Sequence, residues 1–213
     1  MVVVRPEPGN SRTAAAARAQ GWTVDPMPLF AVRPVAWAPP DASAFDALLL
    51  TSANAVRHAG PGLAALGAMP TIAVGAATAV AARAAGLAVA LTGDSDAAAV
   101  VEAARARGFH RLLHLAGRDR VDQAGVHAIT VYASNAAPVP LDAHARLSGA
   151  AVLLHSPRAA RAIAAMATNR ATVAIAALSP AVLTAAGDGW RATATAAQPT
   201  DAALLAAAAT LGD

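Results

Sequence analysis

The sequence predicts an α/β protein: two flavodoxin-like, doubly wound parallel-sheet domains, the middle one inserted into the terminal one and joined by a two-stranded hinge. Three observations lead there. Residues 46–57 read DALLLTSANAVR and residues 150–161 read AAVLLHSPRAAR. Each is a short, nearly all-apolar run ending at a serine, then a small or polar turn and an Ala-rich segment. That pattern fits a strand buried on both faces of a parallel sheet and leading into a helix. The likeness extends along the chain: Ser52 and Ser156 lie 104 positions apart (156 − 52), as do Val74-Gly75 and Leu178-Ser179, and Gly108 and Gly212. A repeat of half the chain points to two homologous domains, not to a solenoid. Third, the copies carry unequal numbers of strands, and the N-terminal residues supply the difference.

Taken in order, Val2-Val3-Val4 predicts a buried strand and residues 5–11 its turn, with Asn10 or Ser11 capping a helix through Gln20. Gly21 ends that helix and residues 22–24 begin a second strand. Residues 25–44 hold five prolines (Pro26, Pro28, Pro34, Pro39, Pro40) and read as an extended connection. The first copy predicts strand 46–51, helix 53–66, strand 71–74, helix 76–85, strand 87–91 and helix 96–107. Strand 111–116, a turn at Gly117-Arg118 and strand 126–132 follow. A second proline-marked connection covers 133–142, and the second copy occupies 149–212. It has three strands against five, so strands 2–4 and 22–24 stand in for 111–116 and 126–132. The predicted division is a discontinuous terminal domain, 1–33 plus 138–213, an inserted domain, 36–131, and hinge segments 26–44 and 132–142. Right-handed crossovers then give a doubly wound sheet in each half, the two facing a shared cleft.

Composition narrows the chemistry. With 56% hydrophobic residues but only 3% aromatics, alanine and valine carry the burial. No cysteine is present, which excludes disulfides, thiolate catalysis and thiolate-ligated metals. All sixteen basic residues are arginine, which removes Schiff-base lysines and the P-loop lysine. The pI near 10.9 reflects arginine's high pKa, for the net charge is only +3. Nucleic-acid binders cluster their cations and interleave aromatics; here arginines are scattered and there is one tyrosine, so an anionic small molecule is the expected partner. No apolar run reaches the ~20 residues that span a bilayer, and residues 1–5 lack the pattern of a signal peptide. A cytoplasmic monomer without membrane or nucleic-acid partners is expected. The six histidines (His58, His110, His114, His127, His144, His155) show no metal spacing, and Asp94, Asp96, Glu102 and Asp201 read as helix-start or surface carboxylates.

Ser52 and Ser156 sit at carboxyl ends of predicted strands, where helix N-termini offer unpaired N–H groups and where open α/β sheets take ligands. Five segments in order then carry a likeness: VVVRPEPGN at 2–10, FDALLLTSANAVRH at 45–58, AVGAATA at 73–79, Val131-Tyr132, and LLHSPRAA at 153–160. Together they resemble the uroporphyrinogen-III synthase family over most of the chain. The resemblance implies a cofactor-free and metal-free lyase of tetrapyrrole (heme) biosynthesis that cyclises hydroxymethylbilane, a polycarboxylate, with loss of water and inversion of ring D through a spiro intermediate. It implies that Tyr132 helps the hydroxyl depart, against the alternative of a strand-end aromatic capping the core. It implies substrate contacts at Arg5, Thr51, Ser52, Asn54, Gly75, Thr78, Gly117, Ser156 and Arg158, with Ser179 standing where the family has glycine. Simple N-capping is the other reading of Ser52, Asn54 and Ser156, a solvated turn that of Arg5, and a core or surface role that of His155. Two departures stand out: Val182 replaces a family threonine, and the span 118–124 is short where the family has a helix. A non-enzymatic two-lobe sensor and an inactive paralogue therefore stay open.

Overall fold

A computed structural model of the chain describes residues 1–93 and 96–211; Asp94 and Gly212 lie outside the described residues. The elements in chain order are β1 (Val2–Val3), α1 (Gly9–Ala19), β2 (Asp25–Pro26), β3 (Phe30–Pro34), β4 (Ala47–Leu50), α2 (Ala53–His58), β5 (Thr71–Val74), α3 (Ala76–Ala84) and β6 (Val89–Gly93). There follow α4 (Ala97–Arg105), β7 (Leu112–Gly117), β8 (Val126–Ala136), α5 (Ala143–Leu147), β9 (Ala151–Leu154), α6 (Pro157–Met166), β10 (Ala174–Ala177), α7 (Pro180–Ala186), β11 (Ala192–Thr195) and α8 (Asp201–Ala209). The chain divides into two compact units, Met1–Ala31 with Ala136–Asp213, and Val32–Asn135.

The first unit carries the sheet β11-β10-β9-β1-β2, the second the sheet β3-β8-β7-β4-β5-β6. Neighbours in the first sheet pair in parallel, as do β8-β7, β7-β4, β4-β5 and β5-β6 in the second. Mapping β9, β10, β11, β1, β2 onto β4, β5, β6, β7, β8 turns the first strand order into the second, which carries β3 in addition beside β8. β4 and β9 sit at the same place in the two sheets, 104 positions apart (151 − 47). Successive residues on a strand face opposite ways, so Leu48 and Leu50 pack into one layer while Ala47 and Leu49 pack into the other. In the first unit Val152 and Leu154 divide from Ala151 and Leu153 in the same manner. That is why both runs read as continuously apolar.

Several elements differ from the sequence-based expectation. The second strand is Asp25–Pro26, not 22–24, because it takes its register from β1, with Val2 opposite Asp25 and Val3 opposite Pro26. It is an edge strand, where proline is tolerated. The helix expected over 53–66 ends at His58; Gly60 turns at φ +64° and residues 60–66 tighten into a 3₁₀ helix. β6 starts two residues late because Leu87 is still tied back to α3 through its N–H to Ala82 O. Neither connection is plain coil. β3 forms inside the first, and β8 runs on to Ala136 in the second, beside it. Val35 N donates to Val131 O and Ala137 N to Leu29 O, an antiparallel pattern. α5 forms before β9, and no helix lies in 118–124. Finally, α1 starts at Gly9 without a side-chain cap. Asn10 is buried instead, its Nδ2 donating to Val3 O (2.7 Å) and Arg5 O (2.9 Å).

Candidate functional site

In the second unit the carboxyl ends of β4 and β7 and the middle of β8 meet at a cavity of about 220 Å³. Thr51, Ser52, Gly117 and Tyr132 line it, together with Ala97, His114, Asp119, Arg120, Val121 and Gln123. Thr51 follows the all-apolar β4, and extended Ser52 (φ −153°, ψ 139°) caps α2 by accepting from Asn54 N at 3.2 Å. Asn54 Oδ1 accepts from Arg57, and Asn54 is not among the lining residues. Gly75 caps α3 with φ +84°, a conformation costly for any side chain. Thr78, one turn on, is buried and also outside the cavity lining.

His114 is the residue that spacing alone does not reveal. It is buried in the middle of β7, and its Nε2 lies 2.9 Å from Thr51 Oγ1. Burial, reinforced by the Arg120 charge and opposed by Asp122, lowers its pKa to about 4. The imidazole is therefore neutral near pH 7, and with Thr51 it offers the cavity an uncharged polar wall. Arg120 supplies positive charge there, held by Asp122 (2.7 Å) and by Thr130 Oγ1 (2.9 Å). One sequence signal was available for His114: it interrupts an otherwise apolar strand. Tyr132 rests against Gly117 on β7 and tilts toward the His58 ring, centroid to centroid 6.3 Å.

The remaining sequence-predicted residues belong to the first unit. Ser156, extended at the end of β9, accepts from Ala159 N at 3.2 Å and caps α6, with Pro157 in the first turn. The Arg158 guanidinium sits 4.3 Å from the Phe30 ring centroid. Ser179 holds the N-cap position of α7 without a side-chain capping bond. Arg5 Nη1 bonds both carboxylate oxygens of Asp201, at 2.7 and 3.0 Å, and Thr13 Oγ1 at 3.2 Å. Thr13 donates to Asp201 (2.7 Å), and His155 Nε2 reaches it at 3.2 Å. The His155 bond first, then Thr13 and the Arg5 charge, hold the Asp201 carboxyl well below the usual carboxylate range against the opposing effect of burial. Asp201 thus ties β1 to α8, more than a helix-start carboxylate would.

A parallel α/β sheet with a polar cavity at its strand ends is the architecture of proteins that bind small molecules at the sheet edge. The family model for uroporphyrinogen-III synthase HemD matches residues 11–206, and the chain belongs to that family. The uroporphyrinogen-III synthetase of Helicobacter pylori 26695 has a similar structure, 16% identical, covering 99% of this chain and 98% of that one with a TM-score of 0.70. A mutant uroporphyrinogen III synthase of the extremely thermophilic bacterium Thermus thermophilus is 17% identical over 99% of this chain and 97% of that one, with a TM-score of 0.50. No curated protein sequence matches. No described helix is long and apolar enough to cross a membrane.

Proposed function

We propose that the chain converts hydroxymethylbilane to uroporphyrinogen III, with the reaction centred on the cavity beside Tyr132. The observation that carries this reading is the meeting of the single tyrosine with Thr51, Ser52 and Gly117 at one strand-end cavity. Tyr132 assists loss of the hydroxymethyl oxygen as water, leaving an azafulvene. The substituted carbon of the far ring attacks it, the spiro intermediate fragments, and reclosure inverts that ring, its displaced α proton being balanced by reprotonation of the azafulvene nitrogen. A positioned acid contributes about 10²–10⁴-fold, and holding the chain ends together supplies several kcal/mol more.

Ser52, Thr51 and Gly117 are assigned to this cavity, and Asn54, Gly75 and Thr78 to substrate contacts at the starts of α2 and α3. Ser156, Arg158 and Ser179 are assigned to substrate carboxylates at the first unit's own sheet edge. Arg5, engaged by Asp201, contributes there through the network it anchors. Both units are read as flavodoxin-like, the middle one inserted and the paired β3 and β8 forming the hinge; the first unit's strand order, 2-1-3-4-5 in its own chain order, supports this directly, and the second's β4 to β8 are its permuted match. The proposed domains are 1–33 plus 138–213 and 36–131, acting as a cytoplasmic monomer without cofactor, metal or nucleic acid. The test is to add hydroxymethylbilane and separate the product isomers. The inverted isomer is expected in excess; the non-inverted isomer alone would assign the chain to a sensor or an inactive paralogue.

A further inference from the structure

We propose that Gly117 is a positioning residue that seats the Tyr132 ring, and not a contact to substrate; this rests on the assignment of Tyr132 to the reaction. Gly117 is not among the glycines with positive φ, so its backbone does not require glycine. What it supplies is space. A Cβ built there would stand 2.8 Å from Cε2 and Cζ of Tyr132 and 2.9 Å from its hydroxyl oxygen.

The strand register explains how the ring comes to lie there. β7 and β8 pair residue for residue up to Ala116 and Thr130, and the next pair is Gly117 with Tyr132, so Val131 is skipped. Such an irregularity re-aims the side chain that follows it. Val131 goes fully into the core, and Tyr132 lies over Gly117 at the cavity wall. Arg118 N donates to Tyr132 O at 2.9 Å and holds the backbone at this register. An added methyl meets the far end of a side chain and not main chain, so it is the ring that gives way. Gly117→Ala is therefore a displacement of the phenol more than a disruption of the sheet.

The test is kinetic and spectroscopic. Gly117→Ala is expected to lower kcat about 100-fold, the scale of a roughly 1 Å misplacement, with KM little changed. In a Tyr132→Phe background, adding Gly117→Ala should cost little more. With one tyrosine in the chain, ring-labelled tyrosine gives a single ring spectrum, and Gly117→Ala should displace it. If Gly117→Ala folds poorly, stability is compared in the Tyr132→Leu background, where the added methyl should be tolerated. Equal destabilisation in both backgrounds overturns the proposal, and so does a normal kcat in Gly117→Ala beside a crippled Tyr132→Phe. Should Tyr132→Phe itself turn over normally, the reaction assignment falls; a displaced ring spectrum in Gly117→Ala then upholds the seat, and an unmoved one overturns it.

Discussion

The two sheet edges share one pattern and have been put to different uses. Both end a buried strand at a capping serine, Ser52 after β4 and Ser156 after β9. In the first unit the polar groups nearby face one another: Arg5, Thr13 and His155 converge on Asp201. In the second unit Thr51, His114, Arg120 and Tyr132 face a cavity. The difference teaches that a repeated fold keeps where polar groups stand more than what they serve. The first unit's polar side chains close mainly on Asp201, whereas those of the second also line open space where a ligand can meet them.

The largest loss is expected from Tyr132→Phe. Turnover should fall by about 10²–10⁴-fold with the melting temperature unchanged, read from isomer-resolved rates and calorimetry. Acid is the next probe. Unfolded, His114 takes its proton near 6.5; folded, only near about 4. The unfolded state binds more protons between those values, so the second unit's stability is full above pH 6.5 and declines toward pH 4, by about 3 kcal/mol. The first unit's depressed carboxyl, Asp201, loses its contribution only below its ordinary value of 3.8. Hydrogen exchange between pH 6.5 and 4 should therefore show the second unit softening, and His114→Gln should remove most of that loss, the remainder belonging to His58, whose pKa burial also lowers.

Asp201→Asn should destabilise the first unit by about 1–2 kcal/mol, discounted because the Arg5–Asp201 pair is partly exposed. Turnover per folded molecule should survive, which denaturant melts alongside rates will decide. The smallest effects come from the two caps, each worth about 1 kcal/mol. Ser156→Ala and Ser52→Ala should each lower stability and reduce kcat/KM, Ser52→Ala the more, since Ser52 lines the cavity beside Tyr132.

Much of this is legible in the sequence alone. A strand buried on both faces leaves an unbroken apolar run, so β4 and β9 announce themselves, and a capping serine marks each turn. Edge strands are harder to place. β2 spans Asp25–Pro26, and nothing local distinguishes those residues from the loop around them; pairing with β1 decides. Side-chain networks are illegible for the same reason. Asp201 meets Arg5 across 196 residues and His114 meets Thr51 across 63. Tyr132 is visible as a lone tyrosine, but its perch on Gly117 depends on one skipped residue in a strand pairing.

The split first unit has a consequence for biosynthesis. β1 lies between β2 and β9, and β9 begins only at Ala151. On the ribosome, the nascent Val2-Val3-Val4 segment must wait without one of its neighbours while the contiguous stretch 32–135 emerges and can collapse on its own. A translational pause or a truncation after residue 135 would thus leave a finished middle piece trailing a sticky, half-paired leader, the species a chaperone would meet first.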